Sequence, residues 1–251
     1  MEKRADSKGA IGIPGPAPTA AMPATVAPPD PPRAVPAASA IAPPAPTIIV
    51  PTAADPTVTF PDVPPTHWAY PFVNEMAKRG MIAGVGDGTF KPDQPVNRAQ
   101  YAALLSEVLR GARQGKIPFS DVKASFWATQ SIARAVEGGF VKGYPDKTFQ
   151  PDAPMTKMQV LLSLANGFGL PKPGGADGAI QSFTDRDQIP AWAKPAVAAA
   201  TQAGVVVNYP DVNQFRPNQP ATRIEVVAML YQALKTTGQL PAIQSPYIVQ
   251  P

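Results

Sequence analysis

The chain repeats itself three times, and this internal periodicity constrains its fold more than any other feature. The first copy runs Phe60-Pro61-Asp62-Val63, then Trp68-Ala69, Gly80, Phe90-Lys91-Pro92, Pro95 and Arg98. The second runs Phe119-Ser120-Asp121-Val122, then Trp127-Ala128, Gly139, Phe149-Gln150-Pro151, Pro154 and Lys157. The third runs Phe183-Thr184-Asp185, then Trp192-Ala193, Gly204, Phe215-Arg216-Pro217, Pro220 and Arg223. Tryptophan to glycine is 12 residues in every copy, and the second phenylalanine to the basic residue is 8. The third copy carries one extra residue before Trp192 and one more before Phe215.

Each copy reads as helix, loop, helix. Phe72, Val73, Met76 and Ala77 recur at helical spacing after Trp68. Gly80, Gly139 and Gly204 then mark helix ends. Turn-rich stretches follow, in which Asp87, Asp146 and Asp211 are placed to form Asx turns. A second, apolar helix opens after Pro95, Pro154 or Pro220, as in Val160-Leu161-Leu162-Ser163-Leu164. One such pair buries little apolar surface alone, so the three must pack together. The expected architecture is all-α, with repeats over 60–110, 119–170 and 183–237 and a C-terminal tail over 238–251. The connectors Gly111–Pro118 and Gly169–Ser182 are rich in Gly, Pro and polar residues and read as loops. The tail segment from Leu240 is apolar and Pro-containing, suited to latch onto the repeats or onto a partner.

Residues 1–59 differ in kind. They hold 14 prolines, 15 alanines and no aromatic residue, which is too little to offset the entropy of ordering a core. An extended, irregular tail is expected there. Its charges cancel, so the net +4 of the chain falls on the repeats, with 18 basic against 14 acidic residues. That mild excess suits an acidic protein surface or an anionic polymer. Nucleic acid is not indicated, because no basic run with interleaved aromatics is present. The absence of cysteine excludes disulfides and thiolate chemistry. No apolar run is long enough for a membrane span. Met1–Gly15 has charges without an apolar stretch behind them and does not read as a secretory signal. Met1 is therefore either a native start, placing the chain in the cytoplasm or in a membrane-peripheral complex, or it follows a removed leader, placing it in the cell envelope.

No catalytic constellation or cofactor motif stands out. His67 is the sole histidine, and no nucleophile has a base partner. Asp185 and Asp187 read as turn residues, and a calcium site would need more carboxylates at closer spacing.

The phrase Phe-x-Asp-Val, then Trp-Ala, then Gly-Tyr-x-Asp-x-x-Phe-x-Pro, then Pro-x-Thr-Arg-x-Glu resembles the S-layer homology domain across about 180 residues and all three copies. The resemblance implies a pseudo-threefold module of helices with grooves between repeats. It also implies modules that hold exported proteins to cell-wall polysaccharide, or that tie outer-membrane proteins to the wall in cyanobacteria.

The family's Thr-Arg-Ala-Glu element stands here as Asn97-Arg98-Ala99-Gln100, Thr156-Lys157-Met158-Gln159 and Thr222-Arg223-Ile224-Glu225. Asn97 with Gln100, Thr156 with Gln159 and Thr222 with Glu225 satisfy the pattern of a helix capping box. The basic residue between them does not follow from helix stability. A cation at the first helical position opposes the helix dipole by about 0.3–1 kcal/mol. Arg98, Lys157 and Arg223 are therefore candidates for binding a ligand or partner, with packing over an aromatic ring or an internal ion pair as the other explanation. Lys157 departs from the family's arginine and lacks the bidentate fork. Trp68, Trp127 and Trp192 divide between ligand platforms and core, with core the more common use of such residues. The six repeat phenylalanines read as structural anchors.

Two functions follow. In the first, the chain is a scaffold or linker inside a large intracellular assembly of acidic protein subunits, of which the phycobilisome is an example. Its tail would reach about 180 Å at about 3.1 Å per residue. In the second, it is an exported protein whose grooves hold an acidic wall polysaccharide. The sequence places the linker first, because no leader is evident and Lys157, Gln100 and Gln159 depart from the family pattern.

Overall fold

A computed structural model describes residues 58–109, 117–171 and 178–250, all within one compact unit spanning residues 41–251. The extended tail expected over 1–59 lies, apart from Val58 and Thr59, outside the described residues. The described residues form six α-helices, two short 3-10 turns and four isolated β-bridges, with no sheet. The helices are α1 (Tyr70–Lys78), α2 (Arg98–Val108), α3 (Thr129–Glu137), α4 (Lys157–Gly167), α5 (Lys194–Gln202) and α6 (Arg223–Lys235). No helix among them is long and apolar enough to cross a membrane.

Each repeat contributes one short and one longer helix. The short helices α1, α3 and α5 have no side-chain N-cap, since Ala69, Ala128 and Ala193 occupy that position. In the first repeat His67 Nδ1 accepts the Ala69 N–H instead, which accounts for the sole histidine. All three short helices stop at the expected glycine. Gly80, Gly139 and Gly204 adopt φ of +61°, +75° and +66°, where a side chain is strained. The next N–H then folds back across the helix end, Met81 to the Met76 carbonyl, Phe140 to Ala135 and Val205 to Ala200.

An aspartate ties the entry of each repeat to the loop before its second helix. Asp62 accepts the Phe90 and Lys91 N–H groups, Asp121 those of Phe149 and Gln150, and Asp185 those of Phe215 and Arg216, at 2.6–3.1 Å. The second residue of each pair sits at positive φ, near +55°. A left-handed non-glycine residue costs energy, and two charge-assisted hydrogen bonds hold it there. Behind this clamp the two repeat phenylalanines meet, with ring centroids 5.3 Å apart in the first two repeats and 5.5 Å in the third. Gly143 is required at this point, because a Cβ would lie 2.1 Å from the Phe119 ring. Asp87, Asp146 and Asp211 each accept the N–H two residues on, closing Asx turns.

The repeats close on one another in a cycle. α1 packs on α6, α3 on α2 and α5 on α4. At the centre Val96 N–H donates to Ala221 O, Ala221 N–H to Met155 O, and Met155 N–H to Val96 O, at 2.8–3.0 Å. Each repeat supplies one donor and one acceptor, so the pseudo-threefold axis is a ring of three backbone hydrogen bonds.

The tryptophans do not share one environment. Trp68 is half-buried against the third repeat. Trp127 and Trp192 are 64% and 53% exposed, so of the two uses open from sequence the core does not hold for them.

Candidate functional site

The seams between repeats carry the polar chemistry. α2, α4 and α6 each begin with a reciprocal capping box: Asn97 with Gln100, Thr156 with Gln159, and Thr222 with Glu225. The box satisfies the third N–H of each helix. The first two are taken by carbonyls of the next repeat. Arg98 and Ala99 donate to Ala153 and Pro151, Lys157 and Met158 to Gln219 and Pro217, and Arg223 and Ile224 to Gln94 and Pro92. The helix N-termini are thus filled by the protein itself, and the positive end of each dipole already faces carbonyl oxygens.

This arrangement accounts for the basic residue at the first helical position. Arg98 crosses into the second repeat, where Nε donates to Phe149 O and Nη2 to Lys142 O, both at 2.7 Å. Its guanidinium lies 4.3 Å from the Phe149 ring centroid and 5.1 Å from that of Tyr144. Arg223 makes the related contact with the first repeat, donating to Ala83 O at 2.8 Å and lying 4.8 Å from the Phe90 ring centroid. Burial pushes both guanidinium groups below their ordinary value. Arg98 thus directs two donors, and Arg223 one, to carbonyls of the neighbouring repeat.

Lys157 behaves differently. A lysine cannot fork to two carbonyls, and its Nζ instead lies 3.0 Å from Glu225 Oε1 of the third repeat, with 1% of its side chain exposed. Arg216 Nη2 approaches the same oxygen at 3.3 Å and also donates to Tyr209 O. Burial pushes the Lys157 ammonium down, against the pull of Glu225. Burial pushes the Glu225 carboxyl up, but Lys157, the Thr222 N–H and Arg216 together outweigh it and hold the carboxyl below its ordinary value.

Above this ion pair opens a cavity of about 280 Å³ between the third and first repeats. Trp68, Tyr209 and Pro210 form an apolar wall, and Asp93, Arg216 and Gln219 present polar groups beside Lys157 and Glu225. The Trp68 and Tyr209 rings stack with centroids 5.0 Å apart and planes 7° from parallel. Of the six residues named from sequence as ligand contacts, the cavity gathers Trp68 and Lys157. Arg98 and Arg223 lie in the seams, and Trp127 and Trp192 stand on the surface. Sequence reasoning missed Tyr209, Arg216, Asp93 and Gln219. Arg216 stood in the repeat phrase Phe215-Arg216-Pro217 and Tyr209 in the turn before Asp211, but neither position marked a contact. Among the described residues no three His, Asp or Glu side chains gather to hold a metal.

The molecule is a closed ring of three homologous helical units, with an aromatic and charged groove at one seam. A family model for the S-layer homology domain matches residues 59–102, 118–161 and 182–227, and the chain belongs to that family. It is 27% identical to the surface-layer 125 kDa protein of Lysinibacillus sphaericus over 180 residues, which is 70% of this chain and 15% of that protein. It is 32% identical to the cellulosome-anchoring protein of Acetivibrio thermocellus over 136 residues, 51% of this chain and 29% of that protein. Exoglucanase XynX of the same species matches at 29% over 188 residues, 73% of this chain but 17% of the enzyme. The chain thus spans less than a third of the length of these curated relatives. An intracellular linker contacting acidic subunits, preferred on sequence grounds, has no counterpart among them; the surface-layer and cellulosome-anchoring names favour the cell-surface alternative.

Proposed function

We propose that this chain is a non-catalytic anchoring module of the cell envelope, and that the groove between its third and first repeats binds a wall polysaccharide. The observation that carries the reading is the pairing of stacked Trp68 and Tyr209 with Asp93, Arg216 and Gln219 around one cavity. Sugar rings dock their C–H faces on aromatic rings, while carboxylates, guanidinium and amide groups take their hydroxyls. The lining charges balance, two cations against two carboxylates, so hydroxyl recognition rather than bulk charge sets the ligand class. The surface-layer and cellulosome-anchoring relatives support an envelope role. This reading replaces the intracellular linker; among the ligand contacts it keeps Trp68, sets aside Arg98 and Arg223, and adds Tyr209 and Arg216.

The test is co-sedimentation with detergent-extracted sacculi from a bacterium that carries a surface layer, before and after hydrofluoric acid strips the wall-linked polymers. The chain is expected to pellet with intact sacculi and to stay in solution with stripped ones. Arg216→Gln, which places at this position the residue that Gln150 already is in the second repeat, is expected to weaken binding about tenfold at unchanged helicity. Equal pelleting with stripped sacculi, or none with intact ones, would overturn the proposal.

A further inference from the structure

The family match ends at residue 227, yet the described fold runs to residue 250. Past α6 the chain turns back over the third repeat. Tyr231 donates its hydroxyl to Pro241 O at 2.9 Å, and Leu240 and Val249 are buried. Asn208 N–H then donates to Tyr247 O and Val249 N–H to Val206 O, both at 2.9 Å, with Val207 and Ile248 forming an antiparallel bridge. Among the described residues the other repeats have no such cover. Ala83 and Lys142, the equivalents of Val207, are exposed, whereas Val207 is 0% exposed. The run Val205-Val206-Val207 is apolar throughout because the returning segment buries its third member.

The returning segment delivers one ring to the aromatic pair that lines the groove. Tyr247 stands edge-on to Tyr209, with centroids 4.9 Å apart and planes at 79°, and edge-on to Trp68 at 5.8 Å and 77°. It touches both members of the stack that joins the third repeat to the first. Edge-to-face contacts of this kind are favourable beyond simple burial.

We infer that the C-terminal segment braces the apolar wall of the polysaccharide groove from behind and that Tyr247 is a positioning residue, holding the Trp68–Tyr209 stack in its binding geometry. The inference rests on the polysaccharide reading above. It makes this seam different from the other two by residues that lie outside the repeats themselves.

The experiment uses the full chain with Trp127→Phe and Trp192→Phe, which leaves Trp68 as the single tryptophan reporter. Trp68 emission and acrylamide quenching are read for Tyr247→Ala and Tyr247→Phe. Binding is then titrated with the polysaccharide released by hydrofluoric acid from surface-layer-bearing sacculi. Tyr247→Ala is expected to red-shift and increase quenching of Trp68, and to weaken binding about five- to tenfold, with far-ultraviolet helicity unchanged. Tyr247→Phe keeps the ring and is expected to match the parent. Unchanged Trp68 emission in Tyr247→Ala overturns the brace whatever the polysaccharide does, and tighter binding overturns it in favour of a plug. A parent chain that binds no polysaccharide, while Tyr247→Ala still exposes Trp68, overturns the groove's function and leaves the brace standing.

Discussion

Lys157 of the second repeat and Glu225 of the third form an ion pair 3.0 Å long, buried beneath the groove, which joins the starts of α4 and α6. A buried pair costs desolvation on both sides, so its removal one partner at a time is the informative measurement. Glu225→Gln keeps the capping box, as Gln100 and Gln159 do, and removes only the charge. It is expected to destabilise the fold by about 3–5 kcal/mol in urea unfolding, because Lys157 is left buried without a carboxylate. Adding Lys157→Met should recover most of that loss. A double variant as unstable as the single one would show that the pair does not act as a unit.

The same pair sets an acid limit. The Glu225 carboxyl is held below its ordinary value of 4.5 in the fold. Its contribution is therefore complete above that pH and is lost as pH falls through the lower folded value. Urea midpoints are expected to drop below pH 4.5 in the parent and to drop less in Lys157→Met/Glu225→Gln.

Arg98 holds two carbonyls and two ring faces of the neighbouring repeat. Arg98→Lys keeps the charge but not the fork, and is expected to cost about 1–3 kcal/mol; Arg98→Ala also loses the packed stem and should cost more. Neither change should abolish polysaccharide binding by the folded protein, since Arg98 does not line the cavity. Loss of binding at full stability in Arg98→Lys would return this residue to the ligand site.

The Asp121 clamp is expected to be worth about 1–3 kcal/mol, because Asp121→Ala leaves the Phe149 and Gln150 N–H groups without their charged acceptor. Gln150→Gly on that background should recover part of the loss by relieving the left-handed backbone. No recovery would mean that the aspartate acts on something other than that backbone.

Alkali should also unfold the protein. Burial pushes the Tyr101 phenol well above its ordinary 10, and burial with Glu75 pushes Tyr231 up to about 12. Groups raised in the fold contribute fully below pH 10, and that contribution is lost as pH climbs through the folded values. Tyr101→Phe is expected to flatten the decline in urea midpoint between about pH 9 and 12. It also removes the hydrogen bond to Ser163, at a cost of about 1 kcal/mol at neutral pH.

The local features of this fold were legible in the sequence because both partners lie a few residues apart. The capping pairs are three residues apart, the Asx turns two, and the helix-ending glycines act on their own turn. The destinations of the basic residues were not, because Arg98 reaches a carbonyl 51 residues away, Lys157 a carboxylate 68 away, and Arg223 a carbonyl 140 away. Two of the three similar motifs therefore make equivalent contacts, Arg98 and Arg223 each with a carbonyl and a ring of the next repeat, while Lys157 makes an ion pair instead. The tryptophans diverge for the same reason. Trp68 is given a partner by Tyr209 across the closing seam and by Tyr247 from outside the repeats, whereas Trp127 and Trp192 stand exposed in an equivalent sequence setting.

An open stack of repeats can fray from either end, because a terminal unit gives up a single interface when it lets go. The circle made by Val96, Met155 and Ala221 has no terminal unit. Loosening any one member breaks two of the three links and leaves the remaining pair with a helix end stripped of its borrowed carbonyls. Part-folded forms carrying two intact repeats are thus penalised twice, and the module should melt as a single cooperative body. The central amides would then exchange with solvent at one shared rate, set by global opening. An anchor under load would accordingly hold or fail as a whole, with no gradual peeling from one side.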